Sequence, residues 1–179
     1  MQPTESSLTQ RATGDEAPAP PPAMVWSDRY LLGHGGMDHT HREFVDCVGA
    51  LQTAADAELA DRLQAFEAHA VSHFEQERRW MDDSDFPAAQ CHADEHTAVL
   101  NSVHEVRALL RDGGAVQVVR ELAQALADWF PGHADYMDAA LSQWLVKRSH
   151  GGTPIVLRRN LGQSDTPVPH FESTTEHKP

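Results

Sequence analysis

Residues 69–77 read HAVSHFEQE. His69, His73 and Glu77 follow one another at four-residue steps, which on an α-helix stacks their side chains on one face. The flanking sequence supplies the helix: Leu59, Leu63, Phe66, Ala70, Phe74 and Met81 recur at helical spacing, predicting a helix over about 57–83. Two imidazoles and a carboxylate thus lie close to an apolar stripe. Glutamate is almost never fully buried unless it is paired. Taken alone, the triplet is compatible with a solvated stripe, so its meaning depends on what the rest of the chain brings to it.

Three more helices are predicted. The first starts at Asp38, a good N-cap residue, and runs to about Thr53. "DSDFP" (83–87) ends the second, and a third runs from about Pro87 to Arg111, where "DGG" (112–114) stops it. The fourth covers about Ala115 to Lys147, with Val118, Leu122, Leu126 and Trp129 along it. No stretch shows the β-branched alternation of a strand. Short connections make neighbouring helices antiparallel, so the expected fold is all-α, a four-helix up-and-down bundle. It occupies residues 24–148, and 179 residues suit one such domain. Residues 1–23, Pro/Ala-rich and ending in "DEAPAPPPA", cannot build a core and are expected to be disordered. Residues 149–179 lose helical periodicity and are expected to form a mostly disordered tail, with "PIVLRR" (154–159) against the domain.

The charge balance narrows the partners. Acidic residues outnumber basic ones 27 to 14, a formal charge of −13, which disfavours nucleic acid and anionic membranes. Two cysteines, Cys47 and Cys91, form no CxxC and no disulfide framework. The first thirty residues hold no signal-peptide apolar region, and no apolar run is long enough to span a membrane, so a soluble cytoplasmic protein is expected. Twelve histidines against two tyrosines is the oddity that remains.

The histidines gather at one level of the bundle. His73 and Glu77 lie ten and six residues before the second helix ends near Asp83, and His92 and His96 five and nine residues after the third starts near Pro87. Across that tight turn the two pairs face each other. Folding back at 112–114 brings His133, with Asp138, to within about one turn of His96, and His41 opens the helix that packs beside the late part of the second. Independent surface histidines would not converge so. Five imidazoles, two carboxylates and no thiolate suit iron, zinc or another borderline ion. Seven ligands are too many for one first-row ion, and two ions sharing the carboxylates is the economical arrangement.

The same residues resemble the hemerythrin family, in particular its bacterial members. The matching stretches are "MDHTH" (37–41), "HFEQERRWM" (73–81), "FPAAQCHADEH" (86–96) and "WFPGHADYMD" (129–138), with Trp26 similar to the tryptophan ahead of the first helix. The resemblance implies that His92, His96 and His133 hold one iron and His41 and His73 the other. It implies that Glu77 and Asp138 bridge the two irons together with an oxo or hydroxo group. One position beside His41 and His73 is then open, where dioxygen would bind as a peroxide. No substrate-side acid or base accompanies it, which fits reversible oxygen carriage, storage or delivery without enzymatic turnover. Two rivals stand beside that reading: a di-iron oxidase, peroxidase or nitric-oxide-reducing enzyme, and an iron-buffering or oxygen-sensing protein. No Glu-x-x-His pair of the carboxylate-rich di-iron enzymes occurs.

The chain departs from the family pattern in places. Arg78 takes the position of a second glutamate, on the outer face. His69 stands where tyrosine is usual and is expected to neighbour the ligands without joining them. Ala134 replaces an isoleucine and Val99 an aromatic residue, predicting a roomier pocket. Pro131 removes a helical hydrogen bond and crowds the Ala127 carbonyl, predicting a kink directly before His133. His34 and His39 are expected to be solvated in a flexible entrance to the first helix. His104, His150, His170 and His177 have no place in the ligand set.

Overall fold

α1 (Gly35–Thr53) is preceded by a 3-10 turn at Asp28–Tyr30, and α2 (Leu59–Asp83) by another at Asp56–Glu58. α3 spans Ala89–Arg111; α4 (Gln117–His133) passes through a π turn, Ala134–Asp138, into α5 (Ala139–Ser149). This is a computed structural model that describes residues 22–149. No strand occurs among the described residues. The expectations for residues 1–21 and 150–179 lie outside them.

α1 packs against α2 and α4, and α3 against α2 and α4, which closes a four-membered ring of antiparallel neighbours. The fold is the all-α, up-and-down bundle. Its interior is two apolar clusters with a polar layer between. Met37, Met81 and Leu141, with Leu32, fill one end. Phe44, Leu51, Leu59, Leu63, Phe66, Val103, Leu126 and Phe130 fill the longer part. Each fully buried Leu, Met or Phe contributes about 1.5–3 kcal/mol. Along each helix the order is the same: Met37, His41, Phe44 on α1; Ala70, His73, Glu77, Met81 on α2; Ala89, His92, His96, Val99 on α3. Phe130, His133, Asp138 and Leu141 repeat it on the last helix.

The helix ends explain how that level is fixed. α3 ends in a Schellman arrangement, with Gly113 at φ 83°, its N–H donating to the Leu110 carbonyl and that of Gly114 to Leu109. α1 starts three residues earlier than the sequence suggests. His34 is its cap, not a solvated linker residue: Nδ1 accepts from the Met37 N–H at 3.3 Å, and the ring packs edge-on to Trp80 at 4.8 Å. Asp38 falls in the first turn, where its carboxylate accepts from the Leu32 and Gly33 N–H groups at 2.7 and 3.2 Å. Histidine is absent from the usual capping residues, which is why the sequence points to Asp38 instead.

Pro131 lies inside α4. The helix continues through it to His133, and the irregularity follows as the π turn, whose closing bond runs from the Ala139 N–H to the Ala134 carbonyl. Asp138 follows His133 at a step of five residues. In a regular α-helix such a step leaves side chains about 140° apart. The π turn's i→i+5 repeat brings them to one face.

Candidate metal centre

The seven predicted side chains come from all sides of the bundle, and the structure brings every one to the same polar layer. His41 and Glu77 are fully buried, and His73, His92, His96, His133 and Asp138 nearly so. Glu77, His92, His96, His133 and Asp138 form one set able to surround a cation, and His41, His73 and Glu77 a second, with Glu77 in both.

The two carboxylates divide their oxygens between the sets. Glu77 Oε1 lies 3.1 Å from His73 Nε2 and 3.7 Å from His41 Nε2. Its Oε2 lies 3.4 Å from His92 Nε2 and 3.3 Å from His96 Nε2. Asp138 Oδ2 faces His41 Nε2 at 3.1 Å, while Oδ1 faces His92 and His133 at 3.0 and 3.3 Å. His133 Nε2 also sits 3.1 Å from His92 Nε2 and 3.0 Å from His96 Nε2. One imidazole nitrogen has a single site with which to meet two others, so the three cannot all be satisfied by hydrogen bonds to one another. Ligands at right angles, each about 2.1 Å from one ion, stand about 3.0 Å apart, so the spacing suits a shared cation better than hydrogen bonding.

Aromatic rings hold the histidines in place. Phe74 stacks on His96 at 3.9 Å and 7°, and Trp129 on His133 at 4.3 Å. The Trp129 indole N–H donates to exposed Glu95 at 3.0 Å, tying α4 to α3 beside the centre. Glu95 was not legible as part of the site, because an exposed glutamate between two histidines carries no periodic signal. His41 meets the edge of Phe130 at 5.2 Å.

The protonation pattern follows from the carboxylates. Burial alone would lower the pKa of His41 and His92, but hydrogen bonding to Asp138 and Glu77 outweighs it and lifts both to about 9. Burial and the neighbouring Asp138 charge would raise Glu77; hydrogen bonds from His41, His73 and His92 hold it well below the usual carboxylate range. Asp138 is likewise held low against its burial, by His133, His41 and His92. His96, with burial dominant and the His133 charge adding to it, falls to about 3. Without a cation, protons on His41 and His92 therefore balance the two carboxylates.

Nine buried side-chain atoms among the described residues lack a hydrogen-bond partner, and eight belong to these residues. Four of them, His41 Nε2, Glu77 Oε2 and both Asp138 oxygens, face the other members of the cluster at 3.0–3.7 Å, paired by charge but without the alignment of a regular hydrogen bond. Hard oxygen and imidazole donors left open around a common centre fit a divalent or trivalent first-row ion. The ninth orphan is Nε2 of His69. His69 belongs to neither set; its ring lies 5.5 Å from that of His73, and burial with the His73 charge lowers its pKa to about 4. Glu43 Oε2 at 3.8 Å from Nδ1 is therefore no ion-pair partner at neutral pH.

The remaining expected bystanders among the described residues are outside the cluster; His150, His170 and His177 lie beyond those residues. His39 pairs with Glu43 on the surface at 3.4 Å, His104 with Glu67 at 3.3 Å, and Arg78 with Asp82 at 2.9 Å. Ala134 and Val99 are buried in the longer apolar cluster.

Comparison with known proteins agrees with this architecture. The hemerythrin HHE cation binding domain matches residues 33–145. A bacteriohemerythrin of Ralstonia nicotianae is 37% identical over 127 residues, covering 71% of this chain and 92% of its own. One from Pseudomonas aeruginosa is 26% identical, covering 72% and 91%. A crystal structure of a hemerythrin point mutant superposes with a TM-score of 0.63 at 22% identity, over 68% of this chain and 96% of that one. The chain belongs to the hemerythrin family.

Proposed function

We propose that His41, His73, Glu77, His92, His96, His133 and Asp138 hold two iron ions, and that the centre binds dioxygen reversibly. The observation that carries this reading is the division of the carboxylates: Glu77 and Asp138 each turn one oxygen toward His41 and the other toward His92. A structural ion pair needs no such split. Two ions side by side do. His92, His96 and His133 would serve one ion and His41 and His73 the other, leaving the two-imidazole side one ligand short. Iron held there would supply reversible two-electron chemistry to a small molecule at that side.

The chain's own residues then bind and shield. Phe44, Phe74, Phe130 and Ala134 are buried around the layer and keep bulk water out. The ionisable groups of the buried layer are the ligands themselves, with His69 neutral beside them. Among the described residues only His69 is left beside them to exchange protons with a substrate, which supports binding over turnover. Residues 24–148 are the working unit in this reading. No helix of the described residues is long and apolar enough to cross a membrane, and free Cys47 and Cys91 suit a reducing compartment such as the cytoplasm.

The test is an optical cycle. Iron-loaded protein is reduced without oxygen, exposed to air and then deoxygenated. A visible band that forms in air and vanishes on deoxygenation is expected. Irreversible bleaching with peroxide release would instead favour an oxidase, and two bound irons without any band an iron buffer.

A further inference from the structure

Among the described residues, half-buried His69 at the edge of the layer carries the one orphaned side-chain atom that the ligand set does not use. It stands one turn before His73 on α2, its ring 5.5 Å from that of His73 and 6.3 Å from that of Phe44. It therefore adjoins the end of the centre that has two imidazoles and not three. The side chain is 14% exposed, and Nε2 is buried with no partner. Nδ1 faces the Glu43 carboxylate at 3.8 Å, and the Thr40 carbonyl is a second acceptor at the ring. Both are acceptors only, which places a ring proton at Nδ1 and leaves the buried, unpartnered Nε2 as an acceptor. A buried lone pair without a donor is costly, and phenylalanine would fill the space without that cost.

We propose that His69 is a specificity-determining positioning residue: its Nε2 accepts a hydrogen bond from a small guest at the two-imidazole side, so that guests carrying their own N–H or O–H are held in preference to aprotic ones. The inference rests on the iron-pair reading of the site.

The experiment uses two isosteric linear anions on the oxidised, iron-loaded full chain: azide, which is aprotic, and hydrogencyanamide, which carries an N–H. Their dissociation constants are measured by optical titration for the wild type, His69→Phe and His69→Gln. The phenylalanine variant should bind hydrogencyanamide about ten-fold more weakly, the loss of one hydrogen bond, and azide as before. Glutamine, whose amide oxygen accepts, should restore the preference. Metal-free His69→Phe should also melt at a higher temperature than the metal-free wild type, because the orphan is gone. Equal weakening of both anions, or no change in either, overturns the proposal. A wild type that retains no iron and binds neither anion contradicts the iron-pair reading itself, a distinguishable failure.

Discussion

Glu77 is the residue on which the centre turns, since one of its oxygens faces His73 and the other His92 and His96. On the proposed assignment, Glu77→Ala would remove a ligand from both ions and a negative charge from a buried layer whose imidazoles would carry none when ligated. We expect that variant to lose at least one of two irons per chain and the oxygen band, whereas His69→Ala keeps both irons; metal analysis of the two decides. The protons on His41 and His92 make a second prediction. Both sit at about 9, above their ordinary 6.5, so in the metal-free protein they are charged at neutral pH and iron must displace them. Loading at pH 7 should release about two protons per chain from these rings, and apparent affinity should fall as pH falls. The same groups stabilise the metal-free fold fully below about 6.5, and that contribution is lost as pH rises through about 9. Thermal melts of metal-free protein should therefore decline across that window, and those of iron-loaded protein should not.

At the scale of elements, the π turn Ala134–Asp138 does what the sequence conceals. The steps His69–His73–Glu77 and His92–His96 obey the α-helical period and can be read directly; His133 to Asp138 breaks it. Because the turn holds one residue more than a regular helix needs, deleting exposed Tyr136 should convert it to α-helix with His133 and Asp138 still on one face. Iron content should survive that deletion with no loss of helicity by circular dichroism. Loss of iron would show that the π geometry itself is required. The last turns of α1 are tuned more tightly. A Cβ on Gly49 would meet the Met24 carbonyl oxygen at 2.6 Å, where the preceding segment crosses and the Met24 N–H donates to Gln52. Gly49→Ala should cost about 1–3 kcal/mol by forcing that segment outward, seen as a lower chemical-denaturation midpoint with iron content retained.

Across the whole molecule, the sequence carries the architecture because two periodicities agree. The apolar repeat defines four helices, and the chemistry-bearing residues fall at equal distances from the turns that fold them back, so the polar layer follows from counting. What it conceals is local and has physical causes. His34 caps α1 with a ring nitrogen that composition does not advertise. α4 continues through Pro131 with the π turn just beyond it, and Glu95 reaches the centre through the Trp129 indole. The layer between the two apolar clusters is expensive without a cation, and iron should raise the melting temperature and make it depend on iron concentration. The central claim, that Glu77 and Asp138 join two ions, is tested most directly by anomalous diffraction at the iron edge from crystals of the iron-loaded protein. The account predicts two peaks within the layer, one beside His92, His96 and His133, the other beside His41 and His73, with both carboxylates bonded to both. A single peak, or two peaks with Glu77 and Asp138 each bonded to only one, would contradict it.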